Sequence, residues 1–143
     1  MYRAQKVSRS TILDVRGLRS HIRCWGPDTG EPLVLLHGGQ DASPSFQFVV
    51  DCLKRDWRIV APDWRGHGKS GHAPQGYWFA DYLADLDAIL EQLFPGLPVP
   101  LIGHSLGGNA ACIYAGLRPE RVLRLVSLDG FGAPDRGPDQ APA

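Results

Sequence analysis

The sequence has no excess of charge of either sign, because 15 Lys and Arg residues balance 15 Asp and Glu residues in a chain of 143. Without a net field there is no general attraction for nucleic acid or anionic lipid, so we expect neither as a partner. No apolar run approaches the roughly 18 residues that a membrane-spanning helix needs. The first ten residues are basic and lack an apolar core, which predicts no secretory signal and a cytoplasmic protein.

Cysteine is also scarce, with only Cys24, Cys52 and Cys112 in the chain. Their odd number, their wide separation and the lack of a C-x-x-C pair argue against a disulfide framework. We therefore expect three reduced, mostly buried thiols without a chemical role, in a reducing compartment. We also expect no cofactor and no bound metal ion.

The residues that are present indicate a folded globular protein. The hydrophobic fraction is 43% and the charged fraction 21%, values typical of a chain that buries a core. A length of 143 residues suits one domain. We predict that this domain covers residues 1–131 and that residues 132–143, rich in Pro and Gly, form a disordered tail.

Alternating strand and helix patterns predict an α/β fold. Two mixed polar and apolar segments flank Gly17 and resemble a hairpin of antiparallel edge strands. Four later segments are almost continuously apolar, as strands buried on both faces are. These features predict a mostly parallel sheet covered by helices on both faces. The predicted strands are Thr11–Val15, Leu18–Trp25, Leu33–Leu36, Trp57–Ala61, Val99–Ile102 and Val122–Leu128.

Three helices are predicted between these strands. In the first, Ser43 is the expected N-cap and Pro44 the first helical residue. The second is long and amphipathic, with its charged residues on the solvent face. The predicted inward residues are, in chain order, Phe46, Val49, Val50 and Leu53; Phe79, Leu83, Leu86, Leu90 and Leu93; and Leu106, Ala110, Ile113 and Leu117. The residues predicted to point outward from the long helix are Asp81, Asp85, Asp87 and Glu91.

A G-x-S-x-G motif, Gly103-His104-Ser105-Leu106-Gly107, lies between the predicted fifth strand and the third helix. A serine at a tight strand-to-helix turn is typical of a nucleophile elbow. The turn holds its central residue in a strained conformation, and glycine on either side relieves the crowding. The helix N-terminus behind Ser105 directs its amides toward an oxyanion formed at the serine.

A second motif, His37-Gly38-Gly39, follows the apolar strand Leu33–Leu36. Together with the elbow it resembles the α/β-hydrolase family, serine hydrolase branch, from about Leu18 to Phe131. The resemblance implies a hydrolase acting on an ester-like, small-molecule acyl substrate through an acyl-enzyme. By position, the implied oxyanion donors are the backbone amides of Gly39 and Leu106. Serine rather than aspartate at position 105 argues against the branches that open epoxides or displace halide.

The segment from Ala61 to Ser70 looks like the turn after the family's fourth strand. Within it, Asp63 and Arg65 are expected to brace the loop rather than to contact substrate. Its glycines also fit a dinucleotide fingerprint, but His72-Ala-Pro-Gln-Gly76 breaks the chain where a helix would have to begin.

The resemblance implies that an Asp or Glu and then a His follow the serine in chain order. No histidine follows His104 in this sequence. The family also has a lid and two further strands after the sixth. The chain therefore resembles the N-terminal portion of an α/β-hydrolase, truncated after strand six. Asp129 is a candidate for the acid; otherwise it caps a turn with Gly130.

The other histidines offer no clear substitute for the base. His104 lies inside the elbow and is expected to point away from the serine. His37 is expected to be packed and hydrogen-bonded. His67 and His72 lie at the correct edge of the sheet, either as bases or as structural or solvent-exposed residues. His21 is on the second strand, far from the elbow.

Two functions therefore stay open. The first is a serine hydrolase present as an N-terminal portion. The second is a non-catalytic, truncated homologue that binds a ligand or partner. In either case the sixth strand, apolar on both faces, would expose a hydrophobic edge, which a further chain or the missing C-terminal half would cover.

Overall fold

The computed structural model describes residues 2–130, which form one six-stranded sheet. The spatial order is β1-β2-β4-β3-β5-β6, with β1 and β2 antiparallel and the other four strands parallel to one another. This confirms the predicted α/β fold class. In chain order the strands are β1 (Arg9–Val15), β2 (Leu18–Trp25), β3 (Glu31–Leu36), β4 (Trp57–Pro62), β5 (Val99–His104) and β6 (Val122–Leu128). The helices are α1 (Gln47–Cys52), α2 (Phe79–Leu93) and α3 (Leu106–Leu117), with 3-10 turns at Ser43–Phe46 and Pro119–Arg121.

The predicted hairpin is formed by β1 and β2 around a two-residue turn. Arg16 and Gly17 have φ angles of 55° and 79°, the left-handed conformation that matches the twist of a two-residue hairpin. The register runs from Arg9 opposite Cys24 to Val15 opposite Leu18. β2 then joins the hairpin to the main sheet by pairing with β4.

The core lies on both faces of the sheet, as the sequence predicts. Side chains alternate along β3, so that Val34 and Leu36 face α2 and α3 while Leu33 and Leu35 face α1. Each of these four side chains is buried.

None of the helices between residues 2 and 130 combines the length and hydrophobicity that a bilayer crossing requires.

The first helix differs from its prediction. Ala42, not Ser43, is the N-cap, and the chain makes a 3-10 turn before α1 begins. Ser43 is buried and its backbone amide donates to the Asp63 carboxylate (2.7 Å). Since a 3-10 turn rotates each residue further than an α-helix does, Val49 is exposed although Phe46 and Val50 are buried.

In α2, the prediction that Asp85 points outward is wrong. The residue is 3% exposed and its two carboxylate oxygens each accept a 2.7 Å hydrogen bond from Arg65. The buried stripe of α2 also includes Tyr82 and Ile89, whereas Phe79, predicted to face inward, is exposed. Hydrophobic periodicity predicts that a carboxylate faces solvent, because the pattern of one helix contains no information on a buried partner elsewhere in the chain.

The predicted stripe of α3 is also wrong in its second half, because Ile113 and Leu117 are exposed. The buried face consists of small residues and one tyrosine: Gly107, Gly108, Ala110, Ala111 and Tyr114. A Cβ atom on Gly108 would lie 2.7 Å from the Ser127 hydroxyl oxygen. The helix thus approaches the sheet too closely for larger side chains. The size of the side chains, rather than their hydrophobicity, therefore determines which face of α3 is buried.

β6 is an edge strand of the described sheet and carries an exposed apolar surface. Leu123 is 61% exposed, and Val126 and Leu128 are exposed as well. This confirms the hydrophobic edge that the sequence predicts. The predicted tail at residues 132–143 lies outside the described residues.

The three cysteines are free thiols, as predicted. Only Cys24, on β2, is buried, so the expectation of mostly buried thiols is wrong. Cys52 and Cys112 lie on the solvent faces of α1 and α3, where neighbouring apolar residues are exposed too. The number and spacing of the cysteines therefore do not predict which of their side chains are buried.

Candidate active site

Ser105 lies between the end of β5 and the first residue of α3, as predicted for the elbow. Its backbone angles, φ 49° and ψ −113°, are strained for a residue with a side chain. Two hydrogen bonds hold this conformation. The Ser105 amide donates to the Leu128 carbonyl (2.8 Å), and the Asn109 amide donates to the Ser105 carbonyl (2.9 Å). The serine is thereby presented at the carboxyl edge of the sheet.

Glycine is required on both sides of this serine. A Cβ atom on Gly103 would overlap the carbonyl of Gly107, and one on Gly107 would overlap the carbonyl of Leu36. The turn can be this tight only because neither residue has a side chain. His104, the remaining elbow residue, is exposed.

The loop after β3 passes directly against the elbow. A Cβ atom on Gly38 would lie 2.9 Å from Nδ1 of His104 and 3.3 Å from Cβ of Ser105. A Cβ atom on Gly39 would meet nothing within 4 Å. The structure therefore brings the two sequence motifs together, with Gly39 bordering open space. Leu106, as the first residue of α3, has a backbone N–H without an acceptor inside the helix.

His37 anchors this loop and is fully buried. Its Nε2 accepts a hydrogen bond from the Trp64 amide (3.0 Å), so the ring proton is on Nδ1, which donates to the Gly38 carbonyl (2.7 Å). Burial lowers the pKa of His37 by disfavouring the charged ring. Both nitrogens are engaged, which confirms the packed, hydrogen-bonded role expected for this residue.

The structure leaves Ser105 without a histidine partner among residues 2–130. His67 donates through Nδ1 to the Arg65 carbonyl (2.9 Å), and its ring centroid lies 5.4 Å from that of His37. His72 is exposed and hydrogen-bonded to the Tyr77 hydroxyl (2.9 Å). None of these rings is hydrogen-bonded to the Ser105 hydroxyl in the part of the chain that the structure describes.

Asp63 braces the loop after β4, as expected. Its carboxylate accepts hydrogen bonds from the amides of Ser43 (2.7 Å) and Lys69 (2.9 Å) and from Nδ1 of His21 (2.8 Å). Burial alone would raise the pKa of this carboxyl group, but these hydrogen bonds outweigh burial and the pKa is lowered. Arg65 braces the same loop through Asp85, whose hydrogen bonds raise the arginine pKa.

Asp129 directly follows β6 and lies at the same sheet edge as Ser105, because β5 and β6 are paired up to His104 and Leu128. It is exposed and has a φ angle of 57°. The Ser127 hydroxyl donates to the Gly130 carbonyl (3.1 Å) across this turn. A carboxylate at this position therefore lies at the carboxyl edge of the sheet, as the acid role requires. Asp129 also lies in the turn with Gly130, which is the alternative role predicted for it.

Sequence reasoning missed one polar array. Nε2 of His21 is 2.8 Å from the hydroxyl oxygen of Ser10, on the neighbouring strand. In the β1–β2 register Ser10 is diagonally across from His21 on one face, so the hairpin register is the signal that could reveal the array. No group of three or more His, Cys, Asp or Glu residues suited to a metal ion occurs between residues 2 and 130.

Comparison with known proteins gives a consistent assignment. The family described as alpha/beta hydrolase fold matches residues 31–142. A serine hydrolase-like protein from Danio rerio is 44% identical over 110 residues, which cover 76% of this chain and 33% of that protein. Among solved structures, wild-type Cfl2 from Burkholderia cenocepacia is 32% identical with a TM-score of 0.81, covering 95% of this chain and 46% of that one. The thioesterase domain from the curacin biosynthetic pathway is 28% identical with a TM-score of 0.79, covering 85% and 46%.

The lengths of these proteins also matter. The chain spans about a third of the fish relative and less than half of either solved structure. It therefore corresponds to a part of those proteins, and that part contains the strand-to-helix turn with Ser105.

Proposed function

The chain belongs to the α/β-hydrolase fold family, and on that premise we propose that it carries the nucleophilic serine of a hydrolase for ester-like acyl substrates. The observation that carries this proposal is the strained backbone of Ser105 at the β5–α3 turn, packed against the loop of Gly38 and Gly39. Ser105 is half-buried, and backbone strain of this kind is typical of functional sites. The names of the fish relative and of the thioesterase domain agree with acyl transfer to a serine.

In the proposed reaction, the Ser105 hydroxyl oxygen attacks the carbonyl carbon of the substrate while its proton passes to a base. The amides of Gly39 and Leu106 donate hydrogen bonds to the resulting oxyanion. Each such donor is worth roughly 3 kcal/mol of transition-state stabilisation. The leaving alcohol or thiol takes the proton from the base, and water then releases the acyl group from Ser105.

The base would come from outside residues 2–130, since no histidine there is hydrogen-bonded to the Ser105 hydroxyl. A longer polypeptide, or a second chain, could add a strand that pairs with β6. A histidine that follows this added strand would supply the base. Asp129, at the end of β6, is the candidate acid for that histidine. The exposed apolar surface of β6 supports a neighbour at this edge.

The second candidate is a non-catalytic module that binds a ligand or partner. The observation that favours it is that no histidine ring among residues 2–130 is hydrogen-bonded to the Ser105 hydroxyl. The two functions differ in whether Ser105 reacts when a base is supplied, because the nucleophile and oxyanion loop are needed only for catalysis.

Imidazole can supply that base in solution. The 143-residue chain is incubated with a fluorophosphonate probe at increasing imidazole concentration, and the adduct is located by peptide mass spectrometry. We expect negligible adduct at Ser105 without imidazole and a rate that rises with its concentration. Ser105→Ala is the matched control and should show no adduct on that peptide. A folded protein that forms no adduct at Ser105 at any imidazole concentration would support the non-catalytic module.

A further inference from the structure

A second serine in this chain has a histidine and a carboxylate aligned behind it. Ser10 on β1, His21 on β2 and Asp63 after β4 form a continuous hydrogen-bonded array. Nε2 of His21 is 2.8 Å from the Ser10 hydroxyl oxygen, and Nδ1 is 2.8 Å from Oδ2 of Asp63. The array is the arrangement that activates a serine: nucleophile, base and a third group that orients the base.

The proton positions follow from the carboxylate. Asp63 also accepts from two backbone amides, which together with His21 keep its pKa low and the group ionised at neutral pH. An ionised carboxylate only accepts hydrogen bonds, so Nδ1 of His21 must donate to it. In the neutral ring Nε2 is then unprotonated and accepts the proton of the Ser10 hydroxyl.

The burial of the three groups suits this role. His21 is 1% exposed and Asp63 2% exposed, whereas Ser10 is exposed on an edge strand of the described sheet. The base is therefore shielded from water behind its serine. An electrophile can approach the serine from solvent without any rearrangement of the hairpin.

A cation lies beside the same serine. Ser10 is directly opposite Arg23 in the β1–β2 register, which places their Cβ atoms about 5 Å apart on one face. The Arg23 guanidinium is held by the hydroxyls of Ser8 (2.8 Å) and Ser43 (3.3 Å). Arg23 thus lies on the same face of the hairpin as Ser10, where a positive charge favours negative charge that develops on a group bound to Ser10.

We propose that Ser10 is a second acyl-accepting nucleophile of this protein, with His21 as its base, and that it reacts with small activated esters. The Ser10 oxygen forms a bond to the ester carbonyl carbon as its proton moves to Nε2 of His21. The bond from that carbon to the leaving alkoxide then breaks, and the alkoxide takes the proton from Nε2. The product is an ester of Ser10 and a free alcohol, with His21 neutral again.

This site is independent of Ser105. Ser10 is on β1 and Ser105 follows β5, so three strands lie between them in the sheet. Four strand spacings amount to about 19 Å. The reactivity of Ser10 is therefore measurable after Ser105 has been removed.

The test uses the full 143-residue chain carrying Ser105→Ala. It is treated with a fluorophosphonate, whose phosphorus–fluorine bond breaks when the serine oxygen attacks, and the adduct is mapped to individual serines. We expect Ser10 to react at least about a hundredfold faster in the folded chain than in the same chain unfolded in urea, the usual gain from a positioned base. Ser10→Ala should remove this adduct. Ser45→Ala, which changes an exposed serine that has no hydrogen bond to the array, should leave it within about twofold.

A folded chain in which Ser10 reacts no faster than Ser8, or no faster than in urea, would overturn the proposal. The variant His21→Gln tests the base, because it keeps an amide group near Asp63 but cannot accept and return the proton. If the His21→Gln variant keeps the circular dichroism spectrum of the folded protein and Ser10 still reacts at an undiminished rate, the proposal is likewise overturned. Labelling of Ser105 with imidazole is read from a different peptide, so the two proposals fail separately.

Discussion

The backbone amide of Ser105 donates a 2.8 Å hydrogen bond to the carbonyl oxygen of Leu128. Leu128 is the last residue of β6, the strand with the exposed apolar surface, and Ser105 is the strained residue of the elbow. One hydrogen bond therefore links the open edge of the sheet to the candidate nucleophile. A displacement of β6 acts directly on the backbone that presents the serine.

The elbow glycines give a sharp stability prediction. Gly107→Ala should lower the free energy of unfolding by about 2–3 kcal/mol, because the added methyl group overlaps the Leu36 carbonyl and the helix must shift. Gly116→Ala is the matched control in the same helix, since a Cβ there meets nothing within 4 Å. This control should raise stability by about 0.5–1 kcal/mol. Urea denaturation measures both, and equal effects would contradict the packing described for α3.

The buried ion pair gives a second prediction. Asp85→Ala should cost about 3 kcal/mol, because it leaves the Arg65 guanidinium buried without its main partner. The exposed pair of Arg55 and Glu31 is the comparison, and Glu31→Ala should cost less than about 0.5 kcal/mol. Thermal or urea unfolding distinguishes them. A loss below about 1 kcal/mol for Asp85→Ala would contradict the burial described for the Arg65 guanidinium.

The titration of His37 gives a third prediction. Its folded pKa is lowered by burial, so just below the ordinary value of about 6.5 the unfolded chain binds a proton that the folded chain does not. Stability therefore falls as the pH drops below about 6.5, with a slope of up to about 1.4 kcal/mol per pH unit, and is retained above it. NMR titration of the ring should show that more than half of the His37 imidazole is neutral at pH 6.5. A midpoint at or above 6.5 would contradict the burial described for His37.

The edge strand gives a fourth prediction. The 143-residue chain should associate or aggregate at micromolar concentration, because β6 exposes apolar side chains and unpaired backbone groups. Val126→Lys should increase the monomer fraction in sedimentation analysis. Ile12→Lys, which places the same charge on the opposite edge strand, is the control and should change association little. A wild-type chain that stays monomeric would contradict an interaction surface at β6.

The central sheet and the elbow could be predicted because their signals are local. The apolar run Val122–Leu128 has the observed bounds of β6, and the motif around Ser105 lies at the β5–α3 turn as expected. Features that depend on a distant partner were not predictable in this way. The helical pattern alone predicts that Asp85 faces solvent, because that pattern contains no information on Arg65, its buried partner 20 residues earlier in the sequence.

The helix that follows the serine illustrates a further limit. Ile113 and Leu117 fit a helical stripe, yet the face that packs against the sheet carries Gly107 and Gly108. Helical periodicity reflects only the hydrophobicity of the residues. It does not reveal how closely a helix and a sheet approach each other. The oxyanion assignment to Gly39 and Leu106 stays a prediction, as do the roles of Ser105 and Asp129 in catalysis.

The open space around Gly39 has a consequence for design. Its backbone is outside the left-handed region, and a side chain built there would meet nothing within 4 Å. A larger residue at position 39 would project into the open space bordering the elbow without disturbing the loop that His37 anchors. Under the proposed function, position 39 is therefore a place where a side chain changes what approaches Ser105, since its Cβ atom displaces no neighbouring atom.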